Sequence, residues 1–91
     1  MMMSEEPKLN SKERTLLIMI QDKFWIARDQ DGELYIYFKE PVRMRTHWIT
    51  DYCALRKLED TLFPFITWES EKAWNSNELK QLKVYRGKGN E

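Results

Sequence analysis

The stretch KFWIARDQDGELYIYF, Lys23 to Phe38, limits the fold more than any other part of the chain. Asp31-Gly32 sits at its centre, and glycine reaches the positive φ that a tight hairpin turn requires. Two registers compete. A two-residue turn opposes Trp25 to Phe38 and Arg28 to Tyr35. A three-residue turn, Gln30-Asp31-Gly32 with Gly32 left-handed, opposes Phe24 to Phe38, Trp25 to Tyr37, Ile26 to Ile36 and Ala27 to Tyr35. The second register sorts the side chains into two sets, and a one-residue slip would mix them. Phe24, Ile26, Leu34, Ile36 and Phe38 then share one face, with Arg28 at its edge, and form the core. Trp25, Ala27, Tyr35 and Tyr37 share the other, where rings with polar tips are expected to look outward. On that basis Ile36→Asp should unfold the domain, while Tyr37→Ser should cost far less.

The rest of the chain is patterned more weakly. Residues 1–12 read as a polar leader interrupted by Pro7. Glu13–Gln21 suits a helix capped by Ser11, with Leu16, Leu17, Met19 and Ile20 on one side, and suits a strand nearly as well. Pro41 ends the second hairpin strand. Met44, Trp48 and Tyr52 are spaced for one face, which predicts a third, antiparallel strand around Thr46–Thr50. Leu55, Leu58 and Leu62 fall at helical spacing behind Asp51, a plausible N-cap, which predicts a helix over Asp51–Phe63. Pro64 should stop that helix and push Phe63 toward extended geometry. Phe65–Glu69 reads as a fourth strand and Ser70–Asn77 as a loop. Leu79–Tyr85 is divided: Asn75 and Glu78 make a capping box that favours helix, while Leu82 and Val84 alternate as in a strand. The expectation is an α+β domain over 13–86, with a flexible tail at 87–91. A small antiparallel sheet of four to five strands would carry one or two packed helices.

Composition excludes several functions. The chain has 91 residues, enough for one small domain with a thin core. Its 15 basic and 15 acidic residues cancel, which argues against a dedicated duplex-DNA binder and removes one protection against self-association. Thr15–Gln21, the longest uncharged apolar run, is far short of the roughly 20 residues that span a membrane. With Cys53 and His47 as the only cysteine and histidine, no intrachain disulfide or usual zinc site can form within one chain. Such cysteine usage suits a reducing, cytoplasmic compartment. A nucleophilic site would need His47 to meet Cys53, and no third orienting group stands out. The acidic pairs Glu59-Asp60 and Glu69/Glu71 lie in polar sequence and read as solvated edges. Asp29, Asp31 and Glu33 faintly echo a calcium loop without its remaining ligands. No glycine-rich phosphate loop is present, and no cofactor is expected.

The aromatic content is the excess: four Trp, four Tyr and four Phe. Trp25, Tyr35 and Tyr37, extended by Trp48 or Trp68, have Lys39, Arg43, Arg45, Arg56 and Lys57 near them in sequence. Such a face can be covered by the Asp51–Phe63 helix or by the N-terminal segment. It can form a protein interface, where Trp, Tyr and Arg act as anchors. It can also stack single-stranded bases. The function expected is a non-enzymatic binding module. Trp25, Tyr35, Tyr37, Trp48, Arg43 and Arg45 would contact a protein partner or a second copy, and nucleic acid ranks below both.

Two stretches also carry a resemblance. WIARDQDGELY (Trp25–Tyr35) and LFPFITWE (Leu62–Glu69) fit the pattern W-x-A-R-D-x-x-G-x-L-Y followed by L-F-P-x-x-x-W-E. The pattern resembles a group of short uncharacterised proteins encoded by phages, prophages and mobile elements of gut anaerobic bacteria. The resemblance covers Lys23 to Glu69. It implies a mobile-element protein, of which an inhibitor of a host defence system is one instance, and it implies a strand for Leu79–Tyr85. It further implies that the stretch before Lys23 is an extension, with Met19 a possible natural start.

Overall fold

The computed structural model describes residues 6–51 and 54–85, so Tyr52, Cys53 and the 87–91 tail lie outside the described residues. In chain order the elements are helix α1 (Ser11–Met19) and strands β1 (Trp25–Arg28), β2 (Leu34–Tyr37), β3 (Val42–Arg43), β4 (Trp48–Ile49) and β5 (Leu55–Leu58). A 3-10 turn at Trp68–Ser70, strand β6 (Trp74–Asn75) and helix α2 (Ser76–Lys80) follow. The hairpin adopts the three-residue-turn register, with Trp25 opposite Tyr37, Ile26 opposite Ile36 and Ala27 opposite Tyr35. Gly32 takes φ +95°, and nothing lies within 4 Å of where its Cβ would be, so conformation rather than crowding selects glycine. A four-stranded antiparallel sheet forms in the order β5-β2-β1-β6, and β3 with β4 makes a separate ribbon. The molecule is a small α+β globule.

Both faces of the sheet are covered. On one, Phe24, Ile26, Leu34 and Ile36 meet Leu9, Leu17, Leu62, Phe63, Ile66 and Leu79. On the other, Ala27 and Tyr37 meet Trp48, with Trp25, Tyr35, Leu55, Trp68 and Ala73 packed around them. Phe38, expected in the core, is past the end of β2 and is 38% exposed.

Several expected elements are corrected. The Asp51–Phe63 helix is absent over its described residues; its centre is strand β5, paired with β2 through Leu34–Leu58 and Tyr37–Leu55. Residues three apart on a strand point to opposite faces. Leu55 enters one apolar cluster and Leu58 the other, so a sheet covered on both sides tolerates a helical leucine spacing. Phe65–Glu69 is not a strand but a curled segment leading into the 3-10 turn. Phe63 takes φ +48°, not the extended geometry expected before proline. Trp74–Asn75, expected in a loop, is the edge strand β6.

The N-terminal segment belongs to the domain from before residue 13. Asn10, not Ser11, caps α1: its side chain accepts from Glu13 N–H at 2.7 Å, and Glu13 Oε1 accepts from Asn10 N–H at 2.8 Å. Glu13 is 1% exposed, and its Oε2 accepts the N–H of Phe63 at 2.5 Å. A buried carboxylate is tolerable here because it accepts two backbone N–H bonds at a helix N-terminus. That same bond helps to hold Phe63 in its left-handed conformation. Leu9 is fully buried and clipped between Lys83 O and Tyr85 N–H, both at 2.8 Å. Of the expected apolar side of α1, Leu17 is buried, Leu16 and Ile20 are half-buried and Met19 points outward at 72% exposure.

The Asn75–Glu78 capping box forms and opens α2, and among the described residues after Lys80 the only strand-like pairing is the bridge of Val84 to Leu9. Of the strand implied for Leu79–Tyr85, Leu79 and Lys80 instead close α2, and strand-like pairing is confined to Val84. The two helices cap each other: Arg14 Nη1 donates to Lys80 O at 3.0 Å and Lys80 Nζ to Ile20 O at 2.8 Å.

Candidate functional site

Two strands of two residues cannot hold together alone, so the β3–β4 ribbon needs outside anchors. The hairpin turn supplies them. Asp29 Oδ1 accepts the N–H of Trp48 at 3.0 Å, and Gln30 N–H donates to Thr46 O at 3.0 Å. Arg43 supplies another, donating from Nη1 to Trp68 O at 2.7 Å. Its guanidinium carbon lies 3.5 Å from the Trp68 ring centroid and 5.7 Å from that of Trp48. The two indoles meet edge to face at 6.5 Å and 76°. Beneath them Tyr37 is 1% exposed. Burial, with smaller contributions from Asp29 and Tyr35, raises the Tyr37 phenol well above its ordinary pKa. Burial also raises Asp29, against the lowering effect of the Trp48 N–H. Tyr35 is raised by burial and by its bond to Glu33 at 3.1 Å.

The residues expected to form an outward surface are distributed differently. Tyr37 and Trp48 are interior, because the ribbon and the 3-10 turn cover the second sheet face. Trp25 and Tyr35 are half-buried at its margin, with Lys23 Nζ 5.4 Å from the Trp25 ring. Arg43 is half-buried and turned inward, and Arg45 is exposed at the ribbon turn. Arg43 and Trp48 are brought together, facing the sheet rather than solvent. Met44 and Trp48 do not share a face, since the ribbon turn between them resets the alternation.

The outward face of the ribbon was not legible as a site. Val42 pairs with Ile49, and Met44 N–H donates to His47 O at 2.8 Å, so Val42, Met44 and Ile49 align on one side. They are 60%, 45% and 41% exposed. The sequence pattern set Met44 on one face with Trp48, whereas the pairing across the ribbon sets it with Val42 and Ile49.

Chemistry-bearing groups serve local structure. His47 is exposed, with Nδ1 3.2 Å from Thr46 Oγ1; Cys53, its proposed companion, lies outside the described residues. Asp31 Oδ1 accepts from Glu33 N–H at 3.0 Å, so the acidic residues around Gly32 build the turn and the ribbon anchor. Among the described residues no cluster of three or more His, Cys, Asp or Glu is placed to hold a metal.

Arg28, placed by the sequence pattern at the edge of the core face, spans the molecule. Nε donates to Ile66 O at 2.6 Å, Nη1 to Gly32 O at 2.8 Å and Asp60 O at 3.0 Å, and Nη2 to Leu62 O at 2.9 Å and Phe63 O at 3.2 Å. Successive carbonyls of a strand point in opposite directions, so only a curled backbone can turn Leu62 and Phe63 to one nitrogen. This explains why the segment after Leu62 does not extend. The signal was present: an arginine on the core-side parity of a strand must find partners for its donors. The Ala-Arg-Asp and Leu-Phe-Pro stretches are thus the two halves of one contact. No family model, curated protein or solved structure matches this chain.

Proposed function

We propose that this chain is a small non-enzymatic protein-binding module whose contact surface is the outer face of the β3–β4 ribbon. The observation that carries this is the alignment of Val42, Met44 and Ile49, all substantially exposed, on a ribbon whose inner face is fixed by Arg43 and Trp48. Aligned exposed apolar residues on a rigid support are what a partner surface offers. Between Lys39 and Lys57 five basic residues stand against two acidic ones, which favours an acidic partner over a second copy carrying the same excess. Base stacking has less support: Tyr37 and Trp48 are interior and the Arg43 guanidinium faces Trp68. Action within a mobile element, for instance against a host defence system, follows from the sequence resemblance alone and completes the proposal.

The test is cross-linking capture from a bacterial host lysate with wild type and a Val42→Glu/Ile49→Glu double variant. Both positions are exposed, so the fold should persist by circular dichroism. Capture lost in the variant, with no retention of single-stranded oligonucleotide at physiological salt, supports the proposal. Capture unchanged in the variant, or oligonucleotide binding that tracks salt, overturns it.

A further inference from the structure

The strand order β5-β2-β1-β6 leaves the central sheet with two edges. Residues along an antiparallel strand bond alternately to one neighbour and the other, so a single bond fixes which side each residue serves. Phe38 N–H donates to Ala54 O at 2.7 Å, and this pair continues the β2–β5 register. Ala54, Arg56 and Leu58 therefore turn their N–H and C=O toward β2, and Leu55 and Lys57 turn theirs away from the sheet. Asp29 N–H, donating to Glu33 O at 2.9 Å, gives the same parity from the far side of β2: Tyr35 and Tyr37 bond to β1, and Leu34 and Ile36 bond to β5.

The two edges are finished differently. At β6, Ser76 N–H bonds inward to Phe24 O at 2.7 Å, so Asn75 is the residue that faces out. Its N–H donates to Glu78 Oε1 at 3.0 Å, and the chain turns at once into α2. At β5 the outward Leu55 carbonyl accepts only Nη1 of its neighbour Arg56, at 2.9 Å. No hydrogen bond among the described residues reaches the Leu55 N–H or the Lys57 N–H and C=O. A row of unpaired backbone groups on an edge strand is a template for another strand. Charge selects the strand. Arg56 and Lys57 are exposed, and neither forms an ion pair among the described residues. The carboxylates around them are engaged: Glu59 with Lys12 at 3.0 Å, Glu33 with the Tyr35 hydroxyl at 3.1 Å, and Asp60 with the field of Arg28. Cross-strand preference acts between directly opposite side chains, so Arg56 and Lys57 set it rather than the net charge. A second copy pairing antiparallel in the permitted phase sets Arg56 against Arg56, or Lys57 against Lys57, in the two registers of greatest overlap. Like charges directly opposite are destabilising, whereas carboxylates there are favoured.

We infer that the outer edge of β5 takes up an extended acidic segment of another protein as an added strand. The segment pairs its backbone with Leu55 and Lys57 and sets carboxylates opposite Arg56 and Lys57. Backbone pairing supplies the affinity, and the two cations supply the choice of partner. This inference is independent of the ribbon surface.

The test uses the full, isotopically labelled chain, followed by NMR. It is titrated with the peptide Val-Thr-Glu-Glu-Thr-Val, with the same peptide carrying Lys-Lys at its centre, and with the acidic peptide N-methylated at its four central residues. Methylation keeps the charges and removes N–H groups from both edges of the peptide. The unmodified acidic peptide should bind tightest, shift the Leu55 and Lys57 amides most and protect the Lys57 N–H from hydrogen exchange. Lys57→Pro deletes that N–H where a sheet accepts proline, since it faces away from β2. It should weaken binding at least about tenfold, and Lys57→Thr, which keeps the N–H, should weaken it less. Equal binding of the N-methylated peptide overturns the inference whether or not Lys57→Pro folds. So does wild-type affinity in a folded Lys57→Pro, tighter binding of the Lys-Lys peptide, or unmoved Leu55 and Lys57 amides at millimolar peptide. Protection of the Lys57 N–H that rises with protein concentration in the absence of peptide overturns it in favour of a second copy.

Discussion

A guanidinium presents five N–H donors in one fixed plane, and Arg28 directs its donors to five backbone carbonyls. Burial lowers its pKa from the ordinary value, with Asp60 opposing, and arginine remains charged throughout the accessible range. Lysine has three donors on a compact head and cannot reproduce the fork. Arg28→Lys should therefore strand several part-buried carbonyls and lose about 3 kcal/mol, read as a lowered urea midpoint. Asp29 is tuned oppositely. Its folded pKa lies above the unfolded one, so the native state holds the extra proton between the two values. Stability then falls as pH rises from the ordinary carboxylate range through the raised folded value. Asp29→Asn keeps an acceptor for Trp48 N–H without the charge. It should lack that slope and match or exceed wild type at pH 7. Asp29→Ala should lie about 1 kcal/mol below Asp29→Asn at every pH, for want of the acceptor. Urea titrations of the three proteins across the acidic range check both statements.

At the scale of elements, what the sequence revealed was set by how local each cause is. The hairpin register follows from Gly32 and from the sorting of residues around it, all within one stretch. The α2 cap follows from Asn75 and Glu78, three residues apart, and it forms. Strand β5 was hidden because Leu55 and Leu58 imitate a helix when both sheet faces are sheltered. The curl after Leu62 was hidden because Arg28 imposes it from more than thirty residues away. The same holds for α1, whose docking depends on Glu13 reaching Phe63 across the sequence. A chain beginning at Met19 would lose Leu9, Glu13 and Leu17 from the core and leave the Phe63 N–H buried without its acceptor. Losing two buried leucines costs several kcal/mol, ~2–5 each. For a domain of ~5–15 kcal/mol total stability this is decisive. The truncated chain should show no cooperative thermal transition, whereas the full chain should melt cooperatively.

For the molecule as a whole, the governing fact is that its central sheet is interior on both sides. The sequence implied one oily face and one outward face, because the tyrosines and Trp25 carry polar tips suited to water. At the margin the Tyr35 hydroxyl does reach a partner, Glu33. The ring bodies, however, pack under a ribbon too short for its alternation to advertise a covering layer. Ile36 and Tyr37, neighbours in β2, are 3% and 1% exposed and point to different clusters. The asymmetry expected from the sequence should consequently vanish. Ile36→Asp places an unpaired carboxyl among leucines and phenylalanines and should unfold the domain. Tyr37→Ser removes the largest fully buried side chain among the described residues, from beneath Trp48 and beside the Asp29 anchor, and should cost about 3–5 kcal/mol. In a chain this small both variants should lose most of their folded population, visible as missing near-ultraviolet circular dichroism and amide dispersion. A Tyr37→Ser protein that melts within a few degrees of wild type would mean the ribbon is only loosely seated. The Val42–Met44–Ile49 face would then lack the rigid support on which its use as a docking surface depends.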